Sequence, residues 1–237
     1  MKITSLLTFL FSLFILNTGN AHNIWIETNN TGKAGKEHSV KIYLGGYGEN
    51  ERDSVSKWFS NTREVVLLLT KPDGTKENLT TKPSGNYLEA LFTPAKDGCY
   101  TISVSHEVAD VYGTAKIQYY ATSQVKVGAS VEGINNVITS TDMPVQLIST
   151  NPVVKKGVSL KVMYKGKNLD KSPVSVASPS GWVKGFETNA GTFTFDAIWP
   201  GVYVIEAYYT DKTEGSLNGK EYKLIRNIST YSFTVGR

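Results

Sequence analysis

Three histidines, His22, His38 and His106, are the only imidazoles in this chain of 237 residues. One of them stands where export would leave it at the head of the protein. His22 follows Ala21 in the run Ala21-His22-Asn23-Ile24-Trp25-Ile26-Glu27. Cleavage after Ala21 would put an α-amine and an imidazole on one residue, a bidentate chelate for a late first-row metal. The α-amine, with an unperturbed pKa of about 7.7, sheds its proton readily under a metal's pull. A divalent ion needs three or more donors, so a further ligand is required. His106 is the better candidate, expected where a strand Cys99 to Ser105 gives way to a loop, with Glu107 and Asp110 just behind it. His38 is weaker, because it opens a strand and has only Val158 or a gap as its echo later in the chain. Nitrogen-rich sites of this kind hold copper more tightly than nickel, so affinity alone does not choose the ion.

Other chemistry is thin. There is no Gly-x-Ser-x-Gly elbow, no His-Glu-x-x-His helix and no phosphate-binding loop. With one cysteine and three scattered histidines, a thiol or serine triad has no support. Cys99, in Gly98-Cys99-Tyr100-Thr101-Ile102, alternates like a strand residue and is expected to be buried and inert. Asn29, Asn78 and Asn227 begin Asn-x-Ser/Thr triplets, as chance allows in an Asn- and Thr-rich chain. The tryptophans suggest a carbohydrate platform. Of these, Trp25 is expected to face outward or toward a linker, Trp199 to pack in a core, and Trp58 with Phe59 to be exposed.

The elements that must position these residues begin with an export signal. Met1-Lys2 is followed by an apolar run from Ile3 to Leu16 and small residues up to Ala21. That run is about 14 residues, short of the roughly 20 a bilayer span needs, so residues 1–21 read as a cleaved signal peptide and the protein as periplasmic or secreted. Net charge is +4 and falls to +3 with loss of Lys2, and no basic run forms a nucleic-acid footprint.

Short runs rich in Val, Ile, Tyr and Thr recur between Gly, Pro, Asn and Asp clusters, the pattern of an antiparallel sandwich. Strands are expected at 23–27, 39–44, 64–70, 87–92, 99–105, 115–127, 145–148, 159–164, 174–177, 192–195, 201–209 and 230–235, with one short helix over 53–60. The two halves echo one another. Gly35 to Tyr43 is matched by Lys156 to Tyr164, Pro72-Asp73-Gly74 by Pro179-Ser180-Gly181, and Phe92 to Ile102 by Phe195 to Ile205. The offset is 122 at Gly35/Gly157 and 107 at Pro72/Pro179, so the first half carries about 15 extra residues, within 45–63.

The fold predicted is all-β, two consecutive immunoglobulin-like or transthyretin-like β-sandwich domains: 22–127 with the insertion 45–63, a linker over 128–143, and 144–237. Tyr100 with Ile102, and Tyr203 with Ile205, should face the cores.

The chain also resembles a family of exported proteins grouped as a domain of unknown function (DUF4198) and labelled a nickel-uptake substrate-specific region. The matching pieces are the signal followed by Ala21-His22-x-x-Trp25-x-Glu27, then Pro144-Val145-x-Leu147-Ile148 with Asn151-Pro152, Gly157-x-x-Leu160-x-Val162-x-Tyr164-x-Gly166-Lys167, and Thr192-Phe193-Thr194-Phe195 with Pro200-Gly201-Val202-Tyr203. The resemblance implies a periplasmic two-domain β protein associated with uptake of nickel or cobalt, its leading histidine a ligand. Tyr47 follows Gly46 where the family often places a histidine.

The first expectation is therefore a non-enzymatic metal-binding protein that takes nickel or cobalt, or copper. Its site would use His22, His106, Glu107 and Asp110, and it would present the ion to a membrane transporter or outer-membrane receptor. The second is a metal-free binding module for a cell-envelope protein or glycan. A copper oxygenase, which needs a flat aromatic face beside the metal, is third.

Overall fold

The computed structural model describes residues 22–147 and 156–236. The signal segment 1–21, Ile148 and Asn151-Pro152 lie outside the described residues. The architecture is all-β, with sheets packed as sandwiches, as expected. The first half holds β1 (Asn23–Thr28), β2 (Thr31–Gly32), β3 (His38–Gly45), β4 (Leu67–Thr70), β5 (Lys76–Leu79), β6 (Lys82–Ser84), β7 (Tyr87–Phe92), β8 (Gly98–Tyr112) and β9 (Ala115–Val127). The second holds β10 (Val145–Leu147), β11 (Val158–Tyr164), β12 (Lys167–Asn168), β13 (Pro173–Ala177), β14 (Val183–Glu187), β15 (Thr192–Phe195), β16 (Gly201–Asp211), β17 (Gly215–Leu217), β18 (Lys220–Tyr222) and β19 (Leu224–Val235).

One sheet runs through both halves, in the order β14-β13-β16-β19-β9-β8-β4-β5. Its midline is a parallel pairing of the last long strand of each half, from Leu224 opposite Ala115 to Ser232 opposite Ser123. Two smaller sheets cover opposite faces of it, β1-β3-β7-β6 over the first half and β10-β11 with β15 over the second, since along β9 Tyr119 and Ala121 point into the first core and Tyr120 between them points into the second. Each sandwich encloses its own core, and each core takes a residue from across the midline, Ile228 in the first and Tyr120 in the second. Residues 128–143 include a 3-10 turn, Ile134–Thr139, held to the first half where Asn136 Nδ2 donates to Lys71 O and Gln124 Nε2 to Ile134 O.

The echoed blocks carry the same corner in each half. Tyr100 and Tyr203 are buried, and each hydroxyl meets the backbone four residues upstream: Tyr100 donates to Lys96 O at 2.9 Å, and Tyr203 accepts from Trp199 N at 2.9 Å. The glycine ahead of each tyrosine is obligatory. Gly98 and Gly201 have φ of 142° and 128°, and a Cβ would meet Pro72 Cγ at 2.5 Å or Pro179 Cβ at 2.6 Å. The Pro-x-Gly turns and the Gly-x-Tyr strands therefore repeat together because they touch.

Candidate functional site

Strand β1 fixes where His22 can be. Its side chains alternate, with Ile24 and Ile26 entering the first core and Trp25 and Glu27 facing the other way. One edge pairs with β3, from Asn23 opposite Gly45 to Thr28 opposite Val40. The other edge meets side chains of β19. Thr230 Oγ1 donates to Ile24 O at 2.7 Å, Ser232 Oγ to Ile26 O, and Thr234 Oγ1 to Thr28 O at 3.3 Å. Every second hydroxyl of β19 thus satisfies every second carbonyl of β1, which an edge strand would otherwise leave to water.

His22 sits at the head of this clamped strand. Its carbonyl accepts from Tyr119 Oη at 2.6 Å, and its Nε2 lies 3.2 Å from Asp53 Oδ2. Asp53 belongs to the insertion and is itself anchored, its N–H donating to Leu44 O at 2.9 Å. A carboxylate on Nε2 fixes the tautomer and leaves the imidazole lone pair on Nδ1. That is the ring nitrogen able to close a chelate with the α-amine of the same residue.

The other expected ligands are elsewhere. β8 runs past Ser105 to Tyr112, so His106 is inside a strand rather than at its end. It is 7% exposed and donates from Nε2 to Asn61 Oδ1 at 3.2 Å, and burial depresses its pKa. Glu107, the next residue, points to the opposite face and pairs with Lys116. Asp110 is exposed, within the register shift between Glu107 and Val111. Asn61 braces that irregularity, accepting from Ala109 N and donating to Glu107 O. His38 is also structural in setting, its Nε2 2.8 Å from Thr28 Oγ1, its ring against Phe92, and its pKa lowered by burial. Among the described residues no three of His, Cys, Asp and Glu form a group able to hold a metal ion. His22, His106, Glu107 and Asp110 are therefore not brought together as a ligand set.

The insertion lies between the halves. In place of a helix over 53–60 it has a 3-10 turn at Val55–Lys57, and this spacing turns Val55 and Trp58 into the first core. Trp58 is 3% exposed, with its indole N–H on Asp53 O, and Phe59 packs edge-on against Tyr112, so the expected exposed pair is packed instead. Tyr47 Oη donates to Val202 O in β16 at 2.6 Å. Gly48 approaches Val183 so closely that a Cβ would meet its Cγ2 at 2.8 Å.

Trp25, expected to face outward or toward a linker, is fully buried and stacked on Tyr43 at 5.3 Å. Arg52 closes that pocket, its guanidinium 5.6, 5.2 and 5.4 Å from the Trp25, Tyr43 and Tyr47 rings. The Arg52 Nη2 and the Trp25 indole N–H both donate to Glu27 Oε1 at 2.9 Å, while Arg52 Nη1 donates to Asn50 Oδ1. Burial and the Glu27 charge push the Tyr43 and Tyr47 hydroxyls up to about 12.

Asn23, next to His22, reaches the second half. Its Nδ2 donates to the carboxylate of Glu206 on β16. Burial, with the Glu49 charge adding to it, raises the Glu206 pKa to about 8. The sequence does carry a signal for it, a lone acid in the apolar run Val202-Tyr203-Val204-Ile205-Glu206-Ala207. Asp53 and Arg52 could have been found only through their place in the extra segment.

A second surface lies on the far half. Trp182 and Trp199, both partly buried, stand 5.9 Å apart, and Lys184, Phe186 and Asp196 complete a groove of about 510 Å³ with Ile198, 52% exposed, on its rim. Trp199 packs on the second core, as expected for a corner residue. Cys99 is buried, and burial raises its thiol pKa.

No family model and no curated protein matches the chain. Among solved structures, it is similar to the PKD domain of an M14-like peptidase from a Thermoplasmatales archaeon, at 14% identity and a TM-score of 0.28, over 46% of this chain and 99% of that one. It is also similar to a segment of two fibronectin type-III domains from chicken tenascin, at 13% identity and a TM-score of 0.25, over 86% of this chain and 95% of that one.

Proposed function

We propose that the protein is an exported, non-enzymatic metal-binding protein that captures nickel or cobalt, or copper, at an amino terminus beginning with His22 and presents the ion to a membrane transporter or receptor. The observation that carries this reading is the approach of His22 Nε2 to Asp53 Oδ2 at 3.2 Å. A carboxylate on the second ring nitrogen is how metal-bound imidazoles are oriented, and it holds Nδ1 for the ion. The clamping of β1 on both edges supports the same reading, because a chelate on a chain terminus needs that terminus held in place. Two nitrogens come from His22 itself, and the cargo ion keeps open positions for its transfer. The resemblance read from the sequence points the same way. The test is calorimetric titration of the processed protein with nickel, cobalt and copper against His22→Ala. Loss of tight binding in the variant supports the role of His22, and equal affinity rules it out.

A second reading, a metal-free binding module for a cell-envelope glycan or protein, is favoured by the Trp182–Trp199 groove. Its polar rim of Lys184 and Asp196 beside aromatic faces suits a sugar ring. Glycan-array binding lost in Trp182→Ala, with metal affinity unchanged, would select it.

A further inference from the structure

The seam between the two halves holds a buried amide oxygen that no described group uses. Asn23 is 6% exposed and gives its Nδ2–H to the Glu206 carboxylate, yet its Oδ1 is buried and accepts no hydrogen bond from any described residue. Buried acceptors are seldom left this way. Glu49 stands beside this pair, because Gly46, which its carboxylate covers, follows Gly45, the ladder partner of Asn23, and its charge acts on Glu206. Its carboxylate folds back over Gly46, where a Cβ would meet Glu49 Oε2 at 2.6 Å. Among the described residues no lysine or arginine forms an ion pair with Glu206 or Glu49.

We infer that Asn23 Oδ1, Glu206 and Glu49 bind a hard divalent cation of the calcium class at this seam. The donors are all oxygen, two carboxylates and one amide, which suits calcium rather than a nitrogen-seeking transition metal. Glu49 is exposed, so the ion has a path in and waters can fill its remaining positions. The three residues come from β1, the insertion and β16, so a bound cation ties the first strand and the extra loop to the second half. The site is separate from His22, because side chains at successive positions of an extended chain leave on opposite faces.

A proton on Glu206 is the rival occupant, since a neutral acid can donate to Asn23 Oδ1. Thermal melting at pH 8.5 in calcium or in chelator decides between them. Calcium at about ten times Kd is expected to raise the Tm by about 3–6 °C, and to displace terbium whose luminescence the nearby aromatic rings sensitise. Glu206→Gln, which keeps the shape and the amide contact, should melt in chelator no lower than the wild type and lose the calcium shift. Glu49→Gln, at an exposed position, should reduce the shift, and His22→Ala should keep it. A wild-type Tm equal in calcium and chelator overturns the proposal and assigns the pair to a proton. A full calcium shift in Glu206→Gln also overturns it.

Discussion

Thr230 Oγ1 donates to the carbonyl of Ile24 at 2.7 Å, joining the last strand of the protein to its first across a separation of 206 residues. Ser232 to Ile26 repeats the bond at the same separation. Thr230→Val keeps the volume but leaves a buried carbonyl without its donor, so each such change should cost about 1–3 kcal/mol in urea denaturation. Thr234→Val, whose bond is longer at 3.3 Å and part-buried, should cost less.

Arg52 is expected to be the strongest single contact of the insertion. Arg52→Ala removes the ion pair to Glu27 and the cation over three rings, leaving a part-buried carboxylate with the Trp25 indole as its remaining side-chain donor. A loss of about 2 kcal/mol is expected, accompanied by a change in tryptophan fluorescence. Arg52→Lys should recover little, because an ammonium cannot reach Glu27 and Asn50 together in the fork that a guanidinium provides.

Stability should peak between mildly acidic and neutral pH. The Glu206 pKa is raised above its unfolded value, so the stability it contributes is complete below about pH 4.5 and is lost as pH rises through about 8. The steepest slope is about 1.4 kcal/mol per pH unit. His38 and His106 have lowered pKa values, so their contribution is present above about pH 6.5 and is lost as pH falls below it. Denaturant midpoints across pH 4–9 should show both limbs. Glu206→Gln should flatten the alkaline limb, and His106→Gln should weaken the acid one.

The fold was largely legible in the sequence, and the reason is local. Tyr87–Phe92, Ala115–Val127 and Thr192–Phe195 coincide with the expected strands because no Gly or Pro interrupts their aromatic and β-branched residues. β19 begins earlier than expected, at Leu224, because Arg226 and Asn227 break the apolar pattern. Asn227 is nevertheless buried, its Nδ2 donating to Tyr209 O. β8 runs on through His106 because Tyr119 and Gln118 continue the ladder across from His106 and Glu107, a long-range fact that no local pattern carries. The same limit applies to the site. His22 was legible from its place after Ala21, whereas its neighbour Asp53 is set by how the insertion folds back on Leu44.

Asp53 should therefore matter to metal binding where His106 does not. Asp53→Asn is expected to weaken nickel binding about 10- to 100-fold, as loss of an orienting carboxylate does. His106→Gln should leave nickel affinity unchanged, because its ring is committed to Asn61. Paired titrations of the two variants provide the check.

The most direct test of the central claim compares nickel affinity of protein beginning at His22 with the same protein acetylated at that amine. Acetylation keeps the imidazole and Asp53 but turns the α-amine into an amide, which should lower affinity at least about tenfold, a cost of about 1.4 kcal/mol or more. Equal affinity in the two forms would contradict the account.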